Sequence, residues 1–170
     1  MDRINYNLEE EEEKLDIFTL RLSAEEEEFI TQAQRQGYRL DQDHSLDSVA
    51  ELERYVREKN LSFQDSSDDA LDERTNCWYY LGEVVCQKFH GTWAFSMNET
   101  NPTHWGSYVI VGHSPVQGLE LEPLGLLQGF ILRGCKQGAL QRAILFDVDP
   151  EDSSTDLSDL PNESPALGES

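Results

Sequence analysis

Residues 77–93 read CWYYLGEVVCQKFHGTW, and this stretch decides the fold. Trp78, Leu81, Val85 and Phe89 recur at intervals of three or four, with Cys77 and Val84 beside them, the spacing of one buried helical face. Gly91 offers a helix stop. Beyond it TWAFSM, residues 92–97, is rich in β-branched and aromatic side chains, the texture of a strand. The stretch also holds two of the three cysteines, two of the three tryptophans and one of the four histidines. A metal or catalytic site therefore competes with a core helix as its explanation. The unbroken periodicity favours a central core helix from residue 77 to 90.

Working outward, SYVIVGH at 107–113 reads as a second strand. The turn-forming NETNPTHWG separates it from the first, which predicts an antiparallel hairpin. GLELEP at 118–123 offers a short third strand, and Pro123 fits the first turn of a helix reaching Arg133. ALQRAILFDV at 139–148 reads as either a short helix or an edge strand. Upstream, FQDSSDDALDE at 63–73 is a Ser- and Asp-rich loop. Leu46, Val49, Leu52 and Val56 mark a helix that starts at Ser45 or Ser48 and stops at Asn60. Ser23 and Glu26 form a capping box ahead of Phe29, Ile30 and Ala33, with Gly37 as the stop. FTLRLS at 18–23 alternates like a short strand, with a continuous helix from Leu15 as the competing reading. The acidic run at 9–13 repels itself and is expected to fray.

A length of 170 residues sets a prior of one domain. The net charge of −21 is unevenly spread. Residues 1–70 carry 8 basic and 20 acidic side chains, residues 71–148 carry 5 and 7, and residues 149–170 carry none and 7. The apolar part of the chain is thus close to neutral. Nucleic-acid binding is disfavoured, because phosphates call for clustered Lys and Arg, and an anionic membrane surface would repel the chain. No run approaches the roughly 20 apolar residues of a membrane span. The acidic N-terminus is unlike a signal peptide, and three cysteines without framework spacing point to free thiols in a cytoplasm.

The order of features resembles a loosely defined bacterial domain family of unknown function. Its members carry an aromatic-containing helix with a Leu-Gly pair, a Gly-x-Trp opening a strand, and a Pro-led helix. Trp78, Leu81, Gly82, Gly91, Trp93 and Pro123 match it, over roughly residues 24–146. The resemblance implies an α+β fold and transfers no catalytic residue.

The chemical candidates are few. Cys86 and His90, four apart, would share a helix face as two metal ligands do, but no second close-spaced pair accompanies them. A buried thiol beside a helix-terminal histidine explains them better. Cys135, between Gly134 and Lys136, is the most electropositive of the three thiols and the best candidate for a reactive one. Glu83 lies near the apolar face of the central helix, where burial would raise its pKa; pairing with Lys88 is the plainer reading. The glycines at 125, 129, 134 and 138 fail the phosphate-loop pattern, because Cys135 follows Gly134.

These readings predict an α+β domain over residues 15–148, with three to four helices packed on a small antiparallel sheet. Disordered acidic termini at 1–14 and 149–170 flank it. The expected function is a non-enzymatic cytoplasmic protein-binding module, of the kind represented by immunity-type inhibitors or regulators of a basic protein. Partner contacts are expected at Glu25, Glu26, Glu27, Asp47 and Glu51. No catalytic residue, metal or cofactor is expected. The alternative is a small enzyme or ligand-binding domain, its pocket formed at the helix–hairpin junction by Glu83, His90, His104, Trp105 and His113. A second alternative is an acidic nucleic-acid mimic.

Overall fold

The computed structural model describes residues 4–149, so all but the first residue of the acidic tail expected at 149–170 lies outside the described residues. Among the described residues five helices and a two-stranded antiparallel sheet make an α+β fold, against the three to four helices expected. In chain order they are α1 (Leu8–Arg35), α2 (Ser48–Glu58), α3 (Asp68–Phe89), β1 (Thr92–Phe95), β2 (Tyr108–Val111), α4 (Pro123–Leu132) and α5 (Ala139–Val148).

α1 overturns three expectations. The strand expected at 18–23 and the frayed run at 9–13 are both parts of this one 28-residue helix. Asn7 caps it by accepting from the Glu10 N–H at 3.4 Å, and Glu9, Glu10 and Glu11 fall in the first turn, where the helix dipole favours carboxylates. The buried side chains Leu15, Leu22 and Phe29 are spaced by seven, two turns apart on one face. Leu20, which a strand at 18–23 would set on one face with Phe18 and Leu22, is instead 73% exposed. Ser23 is not a cap but a mid-helix residue.

α3 also begins earlier than expected. The Ser67 hydroxyl accepts from the Ala70 N–H at 3.3 Å, and Asp68 and Asp69 fill the first turn, so half of the supposed loop at 63–73 is helix. From Cys77 to Val85 nearly every side chain is buried, because α1, α2, α4 and the hairpin all pack against this helix. A single core cluster runs from Leu22 to Ile144 around it.

Three helix ends share one stop. After α1, α2 and α4, a left-handed residue (Gly37, Asn60 or Gly134) lets the next N–H reach back to the helix. Tyr38 thus donates to Ala33 O, Leu61 to Val56 O and Cys135 to Phe130 O, at 2.9–3.2 Å. Gly37 and Asn60 stop their helices where the sequence placed the stops. At the end of α3 the left-handed residue is His90, not Gly91. Gly91 serves a different need, since a Cβ there would collide with the Ile110 side chain. It lets the chain pass close over β2.

The hairpin pairs Thr92 with Val111, Trp93 with Ile110, Ala94 with Val109 and Phe95 with Tyr108. The third strand expected at 118–123 is reduced to one bridge, in which Ile110 and Leu121 exchange both hydrogen bonds at 2.7 and 2.9 Å. The segment at 139–148 is helical. No helix among the described residues is long and apolar enough to cross a membrane.

Candidate functional site

The hairpin is held on α3 through one tryptophan. The Trp93 ring lies directly over Gly82, where any Cβ would clash with its six-membered ring. Its indole N–H donates to Glu83 Oε1 at 2.9 Å, and its ring packs on Trp78 (4.7 Å between centroids) and stacks on Tyr79 (6.1 Å, 7°). The Leu-Gly and Gly-x-Trp pairs of the sequence are therefore two halves of one contact.

On the other side of Trp78 the chain opens into a cleft of about 530 Å³. Phe18 of α1, Trp78 of α3, and Phe95 and Tyr108 of the hairpin wall it, joined by Tyr6 from the segment before α1. The rings brace one another at centroid distances of 5.0–6.3 Å. Polar groups are sparse. Glu11 and Glu122 present carboxylates, and Gln128 an amide. Arg74, only 8% exposed, also lines the cleft, but its Nη1 donates to the carbonyls of Ser62 and Asp65 and its guanidinium sits over the Phe63 ring, 5.2 Å from the centroid. Most of the surface of such a cleft is apolar and a few charged groups fix orientation, the usual make-up of a ligand site.

Glu122 is anchored from below. His104 is 2% exposed and lies between two carboxylates, with Nε2 3.5 Å from Glu122 Oε2 and Nδ1 3.3 Å from Glu120 Oε1. Asn101 Nδ2 is 2.8 Å from His104 Nδ1, and the Ser96 hydroxyl donates to Glu120 at 2.8 Å. Ser96, Asn101, His104, Glu120 and Glu122 thus form one buried polar chain that surfaces at the cleft through Glu122. Its chemical capacity is to hold a carboxylate in fixed orientation at the cleft.

Beside this cleft, and meeting it at Phe18 and Thr75, runs a groove between α1 and the start of α3. Its floor is Phe18, Leu22 and Phe29, and its rims carry Glu25, Glu28, Asp69 and Asp72. Arg21 also lines it and lies 3.9 Å from Glu25.

The five residues expected to form a pocket do not come together on either cleft. Glu83 is bound to the Trp93 indole. His90 is the exposed, left-handed cap of α3. Trp105 donates its indole N–H to Ile4 O at 3.1 Å, fastening the N-terminal segment over the hairpin. His113 is buried beneath the turn after β2, next to Gly91. His104 alone of the five reaches the cleft, and it does so through Glu122.

The expected partner contacts also divide. Glu25 lines the acidic groove, and Glu27 and Asp47 are exposed away from it. Glu26 is taken by the buried His44, whose Nε2 lies 2.7 Å away. Burial opposes a charge on His44, but the hydrogen-bonded Glu26 carboxylate, with Glu83 and Asp41 further off, overrides it and raises the pKa. Glu51 accepts from Arg54 and from the Arg39 backbone N–H, which lowers its pKa, the Arg54 bond being the largest cause.

The thiols are packing groups. Burial pushes Cys77 far up and Cys86 up to about 12. Cys135, expected to be the reactive one, is half-buried, and burial raises its pKa against the opposing charge of Arg57. Among the described residues no group of three or more His, Cys, Asp or Glu is arranged to hold a metal ion.

Sequence reading missed Glu120 and Glu122 as a pair. Their alternation about the buried Leu121 in an extended segment was the available signal, since a period of two puts both carboxylates on one face. Phe18, Arg74 and Tyr108 had no comparable signal. No protein-family model, curated protein or solved structure matches this chain, so the site is read from its own chemistry.

Proposed function

We propose that this chain is a non-enzymatic cytoplasmic protein-binding module that docks a basic protein along the groove between α1 and α3. An immunity-type inhibitor or a regulator would act in this way. The observation that carries the reading is the composition of that groove: an apolar floor of Phe18, Leu22 and Phe29 under rims bearing Glu25, Glu28, Asp69 and Asp72. Apolar floors with charged rims are the anatomy of protein interfaces. A field of net charge −21 would steer a cationic partner toward it. The nucleic-acid-mimic alternative draws less support, because α2 offers no row of free carboxylates. Glu51 and Glu58 are paired with Arg54, and Glu53 is buried.

The test compares the wild-type chain with the fourfold variant Glu25→Gln, Glu28→Gln, Asp69→Asn and Asp72→Asn as baits in native lysate. The wild type is expected to retain a basic protein at low salt and release it at high salt, and the variant is expected to lose it. A partner held equally by both baits would refute the groove as its site.

A further inference from the structure

We infer that the aromatic cleft is a binding site for a small organic cation, an ammonium or guanidinium head on an apolar or aromatic body. Electron-rich ring faces attract cations, and do so most strongly where water is excluded. Trp78, Phe18, Tyr108 and Phe95 line one 530 Å³ space, a volume within the range of small-molecule sites.

Charge selects the sign of the ligand. Two carboxylates, Glu11 and Glu122, face the cleft against one guanidinium, Arg74. Arg74 is already occupied by the carbonyls of Ser62 and Asp65 and by the Phe63 ring. Lys14, the partner of Glu11 at 3.0 Å, is 64% exposed, so that pair is a weak, solvent-screened one. Glu122 is the stronger determinant, because buried His104 holds it in place from below. His104 itself faces two carboxylates, Glu120 and Glu122, so acidic groups outnumber it in this trio. An anion would also have to approach against the field of the whole chain.

This site adjoins the protein-docking groove and shares Phe18 and Thr75 with it, but the two are tested separately, since the cation needs no protein partner. Purified full-length chain would be titrated with benzyltrimethylammonium, and in parallel with neutral benzyl alcohol and anionic benzoate, following tryptophan fluorescence and the indole N–H signals. The cation is expected to bind saturably, with the Trp78 indole signal moving most, and about tenfold or more tighter than benzyl alcohol. Benzoate should bind more weakly than either. Leu71→Trp, a substitution at an exposed residue of the cleft wall, should fill the space and weaken the cation about tenfold or more. Glu122→Gln should weaken it while leaving benzyl alcohol unchanged. Three results would each overturn the assignment: no saturable binding, equal affinity for the neutral or anionic probe, or cation binding unaffected by Leu71→Trp.

Discussion

Gly82→Ala is the sharpest test of how this chain holds its sheet. In an isolated helix the substitution should stabilise, because Ala is favoured over Gly by about 1 kcal/mol in a helix interior. Here the new methyl would overlap the Trp93 ring. That ring has little room to retreat, being packed against both Trp78 and Tyr79 and tied to Glu83. Overpacking of this kind costs about 1–3 kcal/mol, and a displaced Trp93 would also lose a hydrogen bond to a carboxylate, about 1.5–3 kcal/mol. Loss of the aromatic contacts adds about 1 kcal/mol. Against the propensity gain, the net expectation is a destabilisation of about 2.5–6 kcal/mol. Urea unfolding followed by circular dichroism reads it directly as a fall in midpoint with unchanged slope. Trp93→Leu in the same background should recover part of the loss, giving a coupling energy of about 1 kcal/mol or more. The reasoning fails if Gly82→Ala alone is as stable as the wild type or more so.

Two further perturbations probe buried charges. The raised pKa of His44 means that its bond to Glu26 contributes fully below about pH 6.5, the pKa of an unfolded histidine, and fades as pH rises through the higher folded value. The stability difference between wild type and His44→Gln should therefore be larger at pH 5.5 than at pH 9; a difference independent of pH would contradict it. Glu53, 1% exposed, accepts weakly from the Leu140 N–H at the start of α5, and burial raises its pKa despite that bond and the charges of Arg57 and Arg142. Glu53→Gln should thus be nearly neutral near pH 7, while Glu53→Ala, which removes the acceptor, should cost about 1–2 kcal/mol by thermal denaturation. Equal losses in both variants would show that charge, not capping, is what Glu53 contributes.

The parts of the fold that could be read from the sequence are those set by local periodicity. The central helix, the hairpin and the stops at Gly37 and Asn60 each have their cause within a few residues. α1 was obscured because Phe18, Leu20 and Leu22 mimic a strand over six residues, and the truer signal, Leu15–Leu22–Phe29, needs a window of fifteen. Gly91 was legible as important but for the wrong reason, since its need is close approach to Ile110 and not a left-handed backbone. The candidate pocket was misread more deeply. Choosing Glu83, three histidines and a tryptophan by chemical type gave residues that the tertiary structure sends to separate duties. The cleft itself is built of aromatics from α1, α3 and the hairpin, and nothing in the linear sequence records that they meet.

A cleft walled by large rings must be kept from collapsing on itself, because protein interiors pack densely wherever they can. In this chain each wall ring is fixed by a contact that the fold already needs. Trp78 is backed by Trp93, and Trp93 is seated by Gly82 and Glu83. Tyr108 is placed by its pairing with Phe95 across the hairpin. Phe18 is carried past both by α1, whose inner residues Leu22 and Phe29 are locked in the core. The open site is therefore preorganised, and a ligand entering it would lose little binding energy to reordering the wall. Gly82 and Trp93 consequently matter to the cleft as well as to the sheet: they fix the helix face from which Trp78 projects.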